Sequence, residues 1–210
     1  MAEQAPYQVA DGGSIPTSPL QFKLQLVSRA LIRPLIERYH YSHSTSGVNG
    51  RLNFGLFDRD RLVGAAIVGQ PATPNVAAKY SGLDKLKVME LRRFCLADDA
   101  PKNSESYFLS KMVWWMKKNS AVDLLFSFAD ATYGHIGIIY RAANWKEVGL
   151  SSPEKRILWK GKLFHRRACW QHTRPQQKAS ILAALACGEA TLVQTGQKRV
   201  YTYRILRHVR

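Results

Sequence analysis

Asp130 and Tyr140 are a carboxylate and a phenol ten positions apart, both groups that hold or pass protons. Asp130 closes the apolar run Leu124, Leu125, Phe126 and Phe128, which predicts a strand buried on both faces. Ala131, Thr132 and Tyr133 lead to Gly134, and Ile138, Ile139 and Ala142 then repeat at helical spacing, so a helix is expected over 135–143. Ligands of open α/β sheets gather beyond the carboxyl ends of strands, which is where this order puts Asp130. Capping the helix is the other use of an aspartate at this point. A second cluster is Tyr39-His40-Tyr41-Ser42-His43, beside the Ser-, Gly- and Asn-rich loop 44–50. Its rings can stack on a nucleobase or handle its protons, or simply pack a helix end. A third is HRRACWQHTR at 165–174, where Arg166, Arg167 and Arg174 could hold phosphates and Trp170 a base. A basic loop shielding an edge strand is the alternative there.

The elements that must carry these groups can be read in order. Residues 1–19 contain Gly12, Gly13, Pro16 and Pro19 without periodicity and are expected to form a flexible arm. Phe22, Leu24 and Leu26 alternate as a half-buried strand, and Ser28 caps a helix with Ala30, Leu31, Leu35 and Ile36 on one face and Pro34 near its first turn. Residues 52–57 and 62–69 make a hairpin with a charged tip at 58–61, followed by a loop over 71–79. VMELRRFCL at 88–96 is a strand with Arg92 and Arg93 facing outward beside Glu90. Phe108, Leu109, Met112, Val113 and Met116 then mark a helix, whose N-terminus at Asn103, Ser104 and Ser106 is an anion site with Lys102 beside it. Short strands at 157–159 and 162–164, a helix over 175–187 stopped by Gly188, and a basic hairpin over 191–206 ending in Arg204 and Arg207 complete the reading.

Composition bounds the function. A chain of 210 residues, 46% hydrophobic, suits one α/β domain (residues 20–165) with a basic extension of helix and hairpin (166–210) packed on it. Thirty-one Lys and Arg against 15 acids leave a net charge of +16, which points to a nucleic-acid partner. No segment opposes basic and bulky apolar faces as membrane-surface helices do, and no secretory leader opens the chain, so a cytoplasmic protein is expected. Cys95, Cys169 and Cys187 lack metal spacing and read as reduced, mostly buried thiols.

The order strand, helix, hairpin, strand, helix, strand, helix, strand resembles the acetyltransferase-type fold of the GNAT superfamily, an α/β fold whose mixed, largely antiparallel twisted sheet is flanked by helices. Within it, ELRRFCL at 90–96, NSES at 103–106 and FADATYGHIGIIYRAANWKEVG at 128–149 resemble the phage Mom proteins, the likeness running over about residues 39–150. That resemblance implies a phage-encoded enzyme, working in the host cytoplasm, that converts adenine in DNA to its carbamoylmethyl derivative and so defeats restriction. It also implies functional roles for His40, Tyr41, Arg93, Ser106, Asp130 and Tyr140, all of which match in residue type. Lys102, Asn103 and Ser104 are the positions expected to meet a cofactor. An iron or other metal has been suggested for the family, but no tight His and carboxylate set stands out, and no metal ligand is assigned. Two rival readings are a conventional acyltransferase on a small amine or protein, and a DNA-binding protein on a decayed transferase fold.

The donor is open between acetyl-CoA and glycyl-tRNA. Residues 97–104 contain no glycine, Pro101 removes an amide donor, and Asp98 and Asp99 repel phosphate, so the loop departs from CoA-binding members of the superfamily. An acetyl unit also brings no nitrogen to a carbamoylmethyl product, whereas a glycyl unit brings every atom. Double-stranded DNA, and tRNA if it is the donor, are the expected partners.

Overall fold

A computed structural model describes residues 17–71, 78–79, 87–169 and 175–206. Phe22, which is buried, leads into β1 (Lys23–Leu26), whose exposed residues and antiparallel pairing with the next strand make it the edge of the sheet. Ser28 caps α1 (Arg29–Tyr39) by accepting from the Leu31 amide, and Ile32 and Ile36 are buried. Pro34 is held inside this helix without ending it. β2 (Leu52–Asp58) and β3 (Arg61–Gly69) form the expected hairpin, and β4 (Val88–Leu96) adds to β3 antiparallel. These central strands are covered on both faces. Ile32 and Ile36 pack with Ala65, Ile67 and Cys95 on one side. On the other, α2 (Ser104–Asn119) sets Phe108 against Phe94 and Trp115 against Phe54, ring centres 5.1 and 5.2 Å apart. Every residue of the expected apolar face of α2 is buried.

β5 (Leu124–Ala129) joins β4 in parallel and is followed by a 3-10 turn at Ala131–Tyr133. The next helix is shorter than the spacing predicts: α3 is Ile138–Ala142. It also turns a different face inward, since Ile138 is exposed and Tyr140 and Ala143 are buried. A single turn and a half has too few residues for periodicity to fix its face. β6 (Lys146–Leu150), β7 (Glu154–Trp159) and β8 (Lys162–His165) follow. Lys160 and Gly161, both with positive φ, make the two-residue turn between β7 and β8. A 3-10 turn at Arg166–Cys169 precedes α4 (Pro175–Ala186), which buries Ile181 and Ala184 and leaves Leu182 exposed.

β9 (Ala190–Thr195) and β10 (Arg199–Arg204) correct the expected C-terminal hairpin, because they enter different sheets. β9 pairs with β7 in a three-stranded sheet of order β8-β7-β9, and β10 lies between β5 and β6 in the seven-stranded sheet β1-β2-β3-β4-β5-β10-β6. Alternation reports that a strand is half-buried and is silent about its neighbour.

The chain divides into two compact units. The first takes the residues up to 127, residues 137–148 and those from 201 on, and carries most of the larger sheet with α1, α2 and α3. The second takes residues 128–136 and 149–200, with the smaller sheet, α4 and its own core of Ile157, Cys169, Ile181, Ala184 and Ala190. Among the described residues no helix is long and apolar enough to cross a membrane. The cysteines are free thiols, Cys95 and Cys169 buried and Cys187 exposed; burial pushes the Cys95 thiol up to about 12.

Candidate active site

In the first unit the site grows from the parting of two strands. β4 and β5 pair only from Val88, Met89 and Glu90 to Leu124, Leu125 and Phe126. Beyond Glu90 a bulge in β4 leaves Arg92 out of register with β3, which pairs Val68 with Leu91 and Ile67 with Arg93. Ser127, the next residue of β5, sets its hydroxyl 3.0 Å from the Leu91 carbonyl and 2.8 Å from the hydroxyl of Tyr140. Tyr140 is fixed from several sides. Gly137, at φ +84°, begins α3, and Asn144, at φ +61°, ends it in a left-handed turn. The Trp145 amide donates to the Tyr140 carbonyl and the Asn144 amide to that of Arg141, a Schellman closure that lays the Trp145 ring 5.3 Å from that of Tyr140. Tyr201 of β10 stacks on Tyr140 at 5.1 Å, and its own hydroxyl donates to Glu147. Burial pushes the Tyr140 phenol up to about 12, so it is fully protonated at neutral pH.

The His40 and Tyr41 rings stack at 4.3 Å where α1 ends. His40 is buried, and its Nδ1 lies 3.1 Å from the Ser42 amide, which can only donate. Nδ1 is therefore an acceptor, and a neutral His40 carries its hydrogen on Nε2. The Ser-, Gly- and Asn-rich loop beside this pair is held by its carbonyls: Arg29 donates to those of Val48 and Gly50, and Arg93 Nε to that of Ser44 at 2.9 Å. This also corrects the outward orientation expected for Arg92 and Arg93. Glu90 is buried against Arg92 at 3.5 Å, and Arg93 is half-buried, desolvation lowering its pKa against the opposing pull of Tyr41. Tyr41 thus lies within electrostatic reach of both Arg93 and Tyr140.

Ser106 belongs to a different place in the same unit. With Asn103, Tyr107, Ser110, Ser18 and Ala142 it lines an open cleft of about 400 Å³ at the N-terminus of α2. The Ser106 hydroxyl donates to the Asn103 carbonyl at 3.0 Å, and Lys102 and Asn103 are exposed. Ser104 differs from expectation: it is fully buried and donates its hydroxyl to the Pro101 carbonyl, so its side chain offers nothing to a ligand. The Ala100 and Ser104 amides also point back into the loop, to Ala97 and Pro101. With Pro101 lacking a donor, positions 100, 101 and 104 offer no amide to a phosphate, which interrupts the run of donors a pyrophosphate cradle uses.

In the second unit Asp130 is buried, and it does cap the 3-10 turn, accepting from the Thr132 amide at 3.1 Å. Its other oxygen lies 3.4 Å from Lys198 Nζ, which is also 3.7 Å from Glu154. Glu154 is the hub of this network, with His165 Nε2 at 2.8 Å and Arg156 at 3.1 Å. The His165 hydrogen bond, aided by the charges of Arg156 and Lys198 and opposed by burial, holds its carboxyl down at about 2. A carboxyl depressed by folding contributes stability above its unfolded value, near pH 4.5, and loses that contribution as pH falls towards 2. Glu154→Gln is expected to flatten the fall of the urea midpoint over this window; equal slopes in both proteins would contradict the assignment.

The sequence profile of the Mom protein family matches residues 21–210. The chain belongs to the Mom protein family. It is 32% identical over 131 residues to the methylcarbamoylase Mom of Escherichia phage Mu, a match covering 61% of this chain and 54% of that protein. The chain therefore spans about half the length of this curated relative. Among solved structures it is similar to the ribosomal-protein-S18-alanine N-acetyltransferase of Escherichia coli, with TM-score 0.51 at 12% identity over 90% of this chain and 96% of that one. A probable acetyltransferase of Staphylococcus epidermidis gives TM-score 0.50 at 11% identity over 88% and 99%. These likenesses show that this Mom family member has the GNAT-type fold.

The remaining expected positions are spread along the chain. Arg166 and Arg204 are exposed, Arg167 belongs to the 3-10 turn at Arg166–Cys169, and Trp170, Arg174 and Arg207 lie outside the described residues. Among the described residues no three His, Cys, Asp or Glu side chains stand together as a metal site. Ser127, Tyr201 and Lys198 are not legible in the sequence as site residues. Only Ser127 leaves a signal, as the polar member of an apolar strand, where a hydroxyl must find a partner.

Proposed function

We propose that this protein is a transferase that modifies adenine in DNA to N6-carbamoylmethyladenine. Membership of the Mom family and the likeness to a phage methylcarbamoylase support the class of reaction. The observation that carries the reading is that His40, Tyr41, Arg93 and Tyr140 fall in one unit, the His40 and Tyr41 rings stacked and Arg93 holding the Ser44 carbonyl of the adjoining loop. The exocyclic amine of adenine is out of reach inside a duplex, so the base is flipped and held by His40 and Tyr41. Tyr41 is the exposed member of that stack and so the ring available to a base. Asp130 matches in residue type a position to which the resemblance to the Mom proteins gives a functional role, and a carboxylate that takes up the amine proton matters because that nitrogen shares its lone pair with the ring. Tyr140 gives its proton to the leaving group, and Arg93 stabilises developing negative charge.

Glycyl transfer accounts for the product atom by atom. Acylation of the adenine amine, followed by attack of the glycyl amine on the ring carbon, exchanges the two nitrogens and leaves the amide outermost. Charged glycyl-tRNA would also use a basic surface where a pyrophosphate cradle is wanting. Purified protein and DNA offered glycyl-tRNA or acetyl-CoA labelled in the acyl group test this: label entering DNA from acetyl-CoA alone would eliminate the glycyl route. The reaction itself is tested by mass spectrometry of nucleosides from DNA of expressing cells. Only unmodified adenosine from well-folded protein would sink the proposal.

DNA affinity is expected to fall steeply with salt, as the surplus of +16 releases counterions from phosphate. Replacing Arg166, Arg167 and Arg174 by alanine should reduce the slope of log K against log salt by about one for each phosphate left without its arginine, equally for all sequences. A weakening confined to one recognition sequence would mean that these residues read bases.

A further inference from the structure

Ser127 has one hydrogen and two contacts that compete for it. Its Oγ lies 3.0 Å from the carbonyl oxygen of Leu91 and 2.8 Å from the hydroxyl oxygen of Tyr140. A carbonyl only accepts, so satisfying both contacts allows a single arrangement: Ser127 donates to Leu91, and Tyr140 donates to Ser127. The surroundings leave the phenol few other options. Ser127 is 2% and Tyr140 7% exposed, and the Tyr201 and Trp145 rings lie against Tyr140.

We propose that Ser127 is a positioning residue for Tyr140, a hydroxyl that receives the phenol's hydrogen bond before proton transfer and gives its own to the phenolate afterwards. The inference rests on the reading of Tyr140 as the proton donor. In the transfer the Tyr140 O–H bond breaks, its hydrogen passes to the leaving atom, and a phenolate remains, to be reprotonated later from solvent. An anion buried this far would be unpaired and costly. Rotation about the Ser127 Cβ–Oγ bond swings the hydrogen from the Leu91 carbonyl to the phenolate 2.8 Å away, with no heavy atom displaced. The two orientations act at different moments. The first aims the phenol and keeps it neutral, and the second stabilises only the state that follows transfer, which is how an interaction lowers a barrier instead of tightening binding. The bulge in β4 and the early end of β4–β5 pairing put the Leu91 carbonyl within reach of Ser127.

The test is the rate at which modified adenosine accumulates in DNA of cells holding equal amounts of soluble protein. Ser127→Ala is expected to slow it about ten- to a hundredfold, the worth of a hydrogen bond to a charged group. Ser127→Thr, which keeps the hydroxyl, should recover it to within about threefold of the original. In the Tyr140→Phe background Ser127→Ala should add no further loss, since the hydroxyl it would serve is gone. An unaltered rate in Ser127→Ala, an equal penalty with and without Tyr140, or a Ser127→Thr protein as slow as Ser127→Ala at the same thermal midpoint would each overturn the inference. Should Ser127→Ala fail to fold, Ser127→Cys, a near-isosteric and weaker donor, takes its place with the same expectations. A fully active Tyr140→Phe protein would instead overturn the reading of Tyr140, and is distinguished by needing no change at Ser127.

Discussion

Asp130→Asn is expected to slow adenine modification by about a hundred- to a thousandfold while leaving the protein folded and able to bind DNA. Asparagine has the shape of aspartate and a carbonyl that still accepts from the Thr132 amide, so the cap on the 3-10 turn survives. What disappears is the charge facing Lys198 and the capacity to take up a proton. Tyr140→Phe is the matching change, keeping the stack on Tyr201 and the packing on Trp145 and removing only the hydroxyl. Both proteins should melt close to the original and yield little modified adenosine by mass spectrometry. A DNA-binding protein without chemistry would tolerate both, so unaltered protection of DNA from restriction in cells carrying either variant would defeat the enzyme reading.

Gly137→Ala is expected to destabilise the protein by about 2–4 kcal/mol. Two independent effects coincide there. The residue sits at φ +84°, a conformation that costs any side chain, and a Cβ would fall within contact of the Tyr201 ring, which has no room to retreat because Tyr201 is fully buried. Gly134 separates the two effects. It has a similar φ of +76° but nothing within 4 Å of an added Cβ, so Gly134→Ala should show backbone strain alone, about 1 kcal/mol. Thermal midpoints should fall by about 5–15 °C for the first and 2–4 °C for the second. Equal midpoints would mean that the Tyr201 ring yields. The glycines three positions apart in the family-like motif therefore serve different ends.

The features legible in the sequence are those whose cause is local. The β2–β3 hairpin and the buried face of α2 follow from two strong periods, and the aromatic pair His40 and Tyr41 stands beside its loop as expected. Meetings between distant residues leave no trace in it. Lys198 carries no mark of its approach to Asp130, and Arg93 none of its hold on the Ser44 carbonyl. Spacing gives the wrong face for α3 because Tyr140 is drawn inward by Ser127 and Tyr201, a tertiary pull that five residues of helix cannot resist. β6 escapes a reading by pattern altogether: it follows at once on the Schellman closure, with burial too slight for alternation to register.

The position of β10 bears on the order in which the protein can be made. Residues 199–204 supply the strand between β5 and β6, so β6 has no neighbour in the sheet until they have been synthesised. A nascent chain emerging from the ribosome can fold β1 to β5 with their helices early, because those pairings are nearly consecutive. Residues 149–198 must then appear before Tyr201 can reach Tyr140 and before the Ile205 amide can close onto the Asp123 carbonyl. Until that moment Tyr140 lacks one of its fixing rings, so the packing that holds its phenol is completed late, after translation has passed the whole of the second unit.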